Sequence, residues 1–291
     1  MFHGVGTALI TPFGRDGSLD EGALKQFVNW QIEEGVNFLV PCGTTGENPA
    51  LTADEHRRVV ELTVKTANAR VPVLAGAGSN STPRAVELAQ QAIDLGADGI
   101  LSITPYYNKP TPDGLRRHFG AQAEAVEKMR SGFPMILYNV PGRTGLNMTA
   151  ETTLGLAREI PNVIGVKEAS ANMEQILAIL RDRANHFLVL SGDDAWTLPL
   201  LACGADGVIS VASNEVPRLM RQMVDERDLA IHNRLLPLLT GNFIESNPGP
   251  AKAAMKMMGI LEDDTLRPPL APMTEANREK LRAILKECDL L

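Results

Sequence analysis

The residues best suited to covalent chemistry in this chain each follow a short apolar run. Lys167 closes Val163-Ile164-Gly165-Val166, and Tyr138 ends the run that starts at Pro134. Thr44 and Thr45 follow Phe38-Leu39-Val40, and Arg143 lies in Pro141-Gly142-Arg143-Thr144-Gly145. Lysine is depleted in strands, and burying its ammonium unpartnered is costly. A lysine at a strand end therefore either carries its charge out to water or serves as an amine nucleophile. The tyrosines favour the second role. The chain has only three, Tyr106, Tyr107 and Tyr138, and all fall at the ends of two successive apolar runs. A phenol of ordinary pKa about 10 can shuttle a proton when a neighbour polarises it.

Gly43-Thr44-Thr45-Gly46 offers backbone N–H groups and two hydroxyls in a glycine-flanked turn, which can hold a small carboxylate. Arg143 can clamp a carboxylate with two parallel hydrogen bonds. Taken singly, the first is also an ordinary strand-to-loop turn and the second an ordinary surface arginine. Glu168 and Asp193-Asp194 are weaker candidates for holding Lys167 or a substrate. Together these groups suit one chemistry. A neutral lysine amine adds to the ketone of a 2-oxo acid and expels water. The protonated imine draws electrons, the adjacent carbon loses a proton, and the enamine attacks an aldehyde. Neither a metal nor an organic cofactor is required.

Positioning such groups is the task of the elements between them. Apolar strands begin near Gly6, Phe38, Val71, Gly99, Pro134, Val163, Phe187 and Gly207, and helical patterns separate them. Helix starts are marked by Asp20, by the capping box Thr52-Ala53-Asp54-Glu55, and by Thr82-Pro83 and Thr111-Pro112. Three helix-to-strand joints share a pattern: Gly35-Val36-Asn37, Gly96-Ala97-Asp98 and Gly204-Ala205-Asp206. A recurring joint implies one repeated unit. The fold class is thus α/β, a (β/α)8 TIM barrel over residues 1–224, whose active site belongs at the C-terminal ends of the strands. The first strand, expected over Gly6–Pro12, carries no GxGxxG, which disfavours a doubly wound open sheet. Residues 225–291 read as a helical extension suited to packing or assembly rather than chemistry, with helices near Leu229–Leu239, Pro248–Met258 and Thr274–Glu287.

Composition narrows the function class. The 291 residues carry a formal charge of -7 with no Lys/Arg run, which argues against nucleic acid or an anionic membrane as partner. Cys42, Cys203 and Cys288 are odd in number and lack CxxC spacing, which fits a reducing, cytoplasmic setting. His3, His56, His118, His186 and His232 show no metal-ligand spacing. No apolar run is long enough to span a membrane.

Gly43-Thr44-Thr45-Gly46-Glu47, Thr104-Pro105-Tyr106-Tyr107-Asn108, Tyr138 to Gly145 and Gly165-Val166-Lys167-Glu168-Ala169 closely resemble the dihydrodipicolinate synthases. Ser191-Gly192-Asp193-Asp194 and Glu245-Ser246-Asn247-Pro248 are similar to that family too. The resemblance runs in order over nearly the whole chain. It implies that Lys167 forms the Schiff base with pyruvate and that Tyr138 moves protons beside it. Thr44 and Tyr107 would complete a hydroxyl relay, Tyr107 reaching in from a neighbouring subunit. Thr45 would bind the pyruvate carboxylate, Arg143 the carboxylate of L-aspartate 4-semialdehyde, and Ile209 would place its carbonyl near the pyruvate. The product would feed lysine and diaminopimelate synthesis, and the assembly would be a homotetramer, a dimer of dimers. His56, Asn80 and Tyr106 match the family's lysine-inhibition site, but Ala53 and Arg84 stand where many inhibited members carry histidine and glutamate. The rival readings are a related aldolase acting on N-acetylneuraminate or 2-keto-3-deoxy sugar acids, and a non-catalytic pyruvate-binding regulator.

Overall fold

In the computed structural model, which describes residues 1–291, the apolar runs pair in parallel around a cylinder. The strands are β1 (Gly4–Ala8), β2 (Phe38–Val40), β3 (Leu74–Gly76), β4 (Gly99–Ile103), β5 (Met135–Asn139), β6 (Val163–Glu168), β7 (Leu188–Ser191) and β8 (Gly207–Ser210). Their order, β2-β1-β8-β7-β6-β5-β4-β3, runs once round the barrel, and a single Leu39–Val73 bridge links its two ends. The connecting helices include α1 (Glu21–Glu33), α2 (Ala53–Ala67), α3 (Thr82–Asp94) and α4 (Pro112–Met129). After β5 come the short α5 (Pro141–Thr144) and α6 (Ala150–Glu159), then α7 (Met173–Asp182) and α8 (Asp194–Ala202) between the last strands. Four more follow β8: α9 (Pro217–Glu226), α10 (Leu229–Gly241), α11 (Gly249–Met257) and α12 (Glu275–Glu287).

The three repeated joints share one geometry. Gly35, Gly96 and Gly204 all take positive φ, at 92°, 83° and 102°, where a Cβ would be strained. The acceptor two residues on then reaches sideways to a neighbouring strand. Asn37 accepts from the Val5 N–H at 2.8 Å, Asp98 from Val73 at 2.9 Å and Asp206 from Val189 at 2.8 Å. Each joint thus ends a helix and registers a strand at the rim opposite the site.

β1 begins and ends earlier than its apolar run predicts. Gly4 turns at φ 77° and its N–H bonds to the Asp206 carbonyl, which starts the ladder there. Leu9 N–H makes a last bond to the Val40 carbonyl of β2 at 3.1 Å, and Ile10, still buried, turns away with its N–H donating to Asn214 Oδ1 at 3.0 Å. Their apolar character reflects burial beneath loops, which periodicity alone does not distinguish from a strand.

A core of eleven side chains fills the barrel, from Phe2 and Phe38 at one end to Leu190, Ile209 and Tyr138 toward the other. Phe2 and Phe38 meet edge-to-face with centroids 5.5 Å apart. A second core lies between the strands and the outer helices, and a third lies under α9, α10, α11 and α12.

Candidate active site

Lys167 is the fifth residue of β6, and its side chain is buried, 5% exposed. In register, Lys167 pairs with Tyr138 of β5 on one side and Leu190 of β7 on the other. Neighbours in register on parallel strands point the same way, so amine and phenol share the barrel interior. The Lys167 Nζ lies 4.3 Å from the Tyr138 ring centroid. Gly192 makes the remaining space. A Cβ there would fall 3.1 Å from Lys167 Cε and 2.6 Å from Ala169 Cβ.

The amine opens into a cavity of about 140 Å³ lined by Thr44, Thr45, Tyr138, Arg143, Asp193, Val211, Phe243 and Asn247, among others. That is roughly the room of four or five waters, a fit for a small acid rather than a sugar chain. A second cavity of about 230 Å³ adjoins it, lined by Cys42, Gly76, Gly78 and Tyr106 among others, and shares Thr44, Tyr138 and Arg143. These three residues stand between the two chambers.

The turn after β2 leaves backbone donors unused. Gly46 N–H donates to the Gly43 carbonyl at 3.2 Å and Glu47 N–H to the Thr44 carbonyl at 3.1 Å, which closes the loop. The N–H groups of Thr44 and Thr45 donate to no protein group, so two donors remain at the cavity wall. Thr45 Oγ1 accepts from Asn247 Nδ2 at 3.0 Å. Arg143, on α5, is exposed, lines both chambers and forms no salt bridge within the chain.

Glu168 does not hold the lysine. It alternates to the outer face of β6, where Asn139, Gln175 and the Ser170 N–H donate to its carboxylate. Burial pushes its pKa up, against those hydrogen bonds. Asp194 is likewise buried, accepting from the N–H groups of Val211 and Ala212 at 2.9 Å each, and thereby fixes the loop after β8. Asp193 caps α8 through Ala195 N–H and reaches the smaller chamber. Ile209 is buried within the barrel core.

The three tyrosines are not gathered within one chain. Tyr138 touches the lysine and Tyr106 lines the larger chamber, but Tyr107 is 89% exposed at φ 71°. His56 is buried with Nε2 2.9 Å from the Gly76 carbonyl, and the Asn80 carbonyl accepts from Asn108. Neither lines the chamber that Tyr106 borders. The C-terminal region, expected to pack on the barrel rather than carry chemistry, also lends Phe243 and Asn247 to the wall of the smaller chamber. Only the Asn247-Pro248 pattern hinted at that.

A barrel that presents a buried amine to a small chamber beside a phenol and free N–H donors suits imine chemistry, and this chain is an enzyme of that lyase class. Residues 1–288 match the model of the dihydrodipicolinate synthetase family, and the chain belongs to that family. It is 50% identical over 297 residues to the 4-hydroxy-tetrahydrodipicolinate synthase of Koribacter versatilis, covering 99% of this chain and 97% of that one. It is 50% identical over 298 residues to the namesake from Oleidesulfovibrio alaskensis, covering 100% of both. The crystal structure of dihydrodipicolinate synthase from Thermotoga maritima superposes with a TM-score of 0.94 at 42% identity, covering 100% of both chains.

Proposed function

We propose that the protein condenses pyruvate with L-aspartate 4-semialdehyde, as a 4-hydroxy-tetrahydrodipicolinate synthase in the route to diaminopimelate and lysine. The observation that carries this reading is the Lys167 amine over the Tyr138 ring, facing a chamber walled by the Thr44–Thr45 turn and Arg143. The free-base amine of Lys167 attacks C2 of pyruvate, and water leaves as the imine forms. A proton leaves C3, and the resulting enamine adds to the aldehyde carbon of the second substrate. That substrate's own amine then attacks C2, closes the ring and releases Lys167. Tyr138 carries protons to and from these centres, with Thr44 and Tyr107 relaying them. The free N–H groups of Thr44 and Thr45 receive the pyruvate carboxylate, Ile209 lends its carbonyl beside it, and Arg143 receives the carboxylate of the semialdehyde.

Tyr107 is too exposed in one chain to join that relay, so a second copy supplies it, in a homotetramer built as a dimer of dimers. Residues 1–224 form the catalytic barrel, and residues 225–291 brace it. No helix is long and apolar enough to cross a membrane. The cysteines Cys42, Cys203 and Cys288 are free, as suits a cytoplasmic enzyme. The test is borohydride reduction with pyruvate followed by mass mapping, alongside turnover with aspartate semialdehyde and with sugar acids. Reduction at Lys167 and turnover of the semialdehyde are expected. An unmodified Lys167, or faster cleavage of sugar acids, would reject the reading.

A further inference from the structure

The turn that carries Thr44 and Thr45 is held from outside the barrel. Cys42 and Glu47 bracket it at φ 56° and 53°, backbone that side chains rarely adopt unless their surroundings hold them there. Glu47 is held by a fully buried ion pair with Lys252 of α11, both side chains 1% exposed. Lys252 Nζ donates to one carboxylate oxygen at 2.6 Å, and Arg267 N–H donates to the other at 3.0 Å. Lys252 also donates to the Thr265 carbonyl at 2.9 Å. The Phe13 ring takes both cations, with Lys252 Nζ 4.4 Å and the Arg267 guanidinium 4.2 Å from its centroid. Arg267 is itself anchored by Glu55 at 2.6 and 2.7 Å and by the Gly17 carbonyl.

A wholly buried ion pair is a poor device for stability, since apolar residues of like volume often serve as well. What it does supply is direction. Glu47 accepts on both oxygens from donors fixed on different segments, so its carboxylate, and with it the left-handed backbone after Gly46, has one place to sit. We propose that Glu47 and Lys252 are positioning residues: the pair sets the Thr44–Thr45 turn for the carboxylate of the 2-oxo acid. The C-terminal segment thereby governs affinity for the first substrate without supplying a group to the amine chemistry. This rests on the reading that the turn receives that carboxylate.

The test starts with borohydride trapping of wild-type Lys167 by pyruvate, which judges that underlying reading on its own. Lys252→Met, Glu47→Gln and the neutral pair Glu47→Gln/Lys252→Gln are then compared by pyruvate KM, kcat and Tm. Arg183→Met, which severs the Arg183–Asp206 pair near the opposite rim, serves as a control of stability alone. The single variants should raise the pyruvate KM about tenfold or more, with a smaller fall in kcat. The neutral pair should recover part of that loss, and Arg183→Met should lower Tm with KM unchanged. Folded variants with a lowered Tm and a wild-type KM would overturn the proposal, as would a failure of all three to fold.

Discussion

Tyr138 and Lys167 are cross-strand partners in register on β5 and β6, and that pairing alone sets the phenol against the amine. No loop intervenes, so their geometry is as rigid as the ladder. Tyr138→Phe should keep the ring that packs over the lysine and remove only the proton carrier. The expected outcome is a kcat lower by about 10²–10³ with trapping of pyruvate retained, since positioned acid–base groups contribute on that order. Stopped-flow turnover alongside borohydride labelling separates the two.

Gly192 leaves the lysine its space. Gly192→Ala would put a methyl 2.6 Å from Ala169 Cβ and 3.1 Å from Lys167 Cε. Lysine stems are flexible, so the amine should shift rather than the barrel unfold. The rate of imine formation should fall about tenfold or more, while the far-UV circular dichroism stays unchanged.

Tyr107 makes no side-chain hydrogen bond within its own chain and Tyr107→Phe keeps the ring, so the Tm should stay within about a degree. Turnover should nonetheless slow more than pyruvate binding weakens. Equal kcat for variant and wild type would remove Tyr107 from the relay.

Free lysine should inhibit weakly or not at all. Arg84 is close enough to His56 to help lower its pKa, although burial is the larger cause. A guanidinium at that position repels a lysine ammonium. An inhibition curve that reached half activity at sub-millimolar lysine would contradict this.

His118 makes stability depend on acid. Burial lowers its pKa to about 4 from the usual 6.5, and Nδ1 is engaged with Thr82 Oγ1 at 2.9 Å. The unfolded chain takes up a proton below pH 6.5 that the folded chain refuses until about pH 4. This contribution is therefore complete above 6.5 and lost as the pH falls through that window, at up to about 1.4 kcal/mol per pH unit. Chemical denaturation of wild type and His118→Gln should show a shallower decline for the variant.

The strands, most helix starts and the gathering of Lys167, Tyr138, Thr44, Thr45 and Arg143 at one barrel end were legible in the residues. Periodicity and caps are local signals, and a parallel barrel converts every strand end into the same rim. What escaped reading depends on contacts between distant segments. Asn247 meets Thr45 across 202 residues, and Gly192 matters only because Lys167 lies across the adjacent strand. Glu168 and Asp194 looked like partners for the lysine but alternate outward or turn into loops, where they serve the scaffold. Tyr107 stands apart from the other two phenols, 89% exposed at a left-handed backbone position that no local sequence signal marks.

The line between β2 and β3 is a seam in the cylinder, joined by the Leu39–Val73 bridge and by the Gly76 N–H donating to the Pro41 carbonyl at 2.9 Å. Cys42 and Gly43 on one side of it, and Gly76 and Gly78 on the other, wall the larger chamber. The lysine stands elsewhere, on β6, whose residues Gly165 to Glu168 pair with both β5 and β7. Sideways strain in the larger chamber therefore falls on the shortest ladder of the cylinder, while Lys167 sits between longer ones.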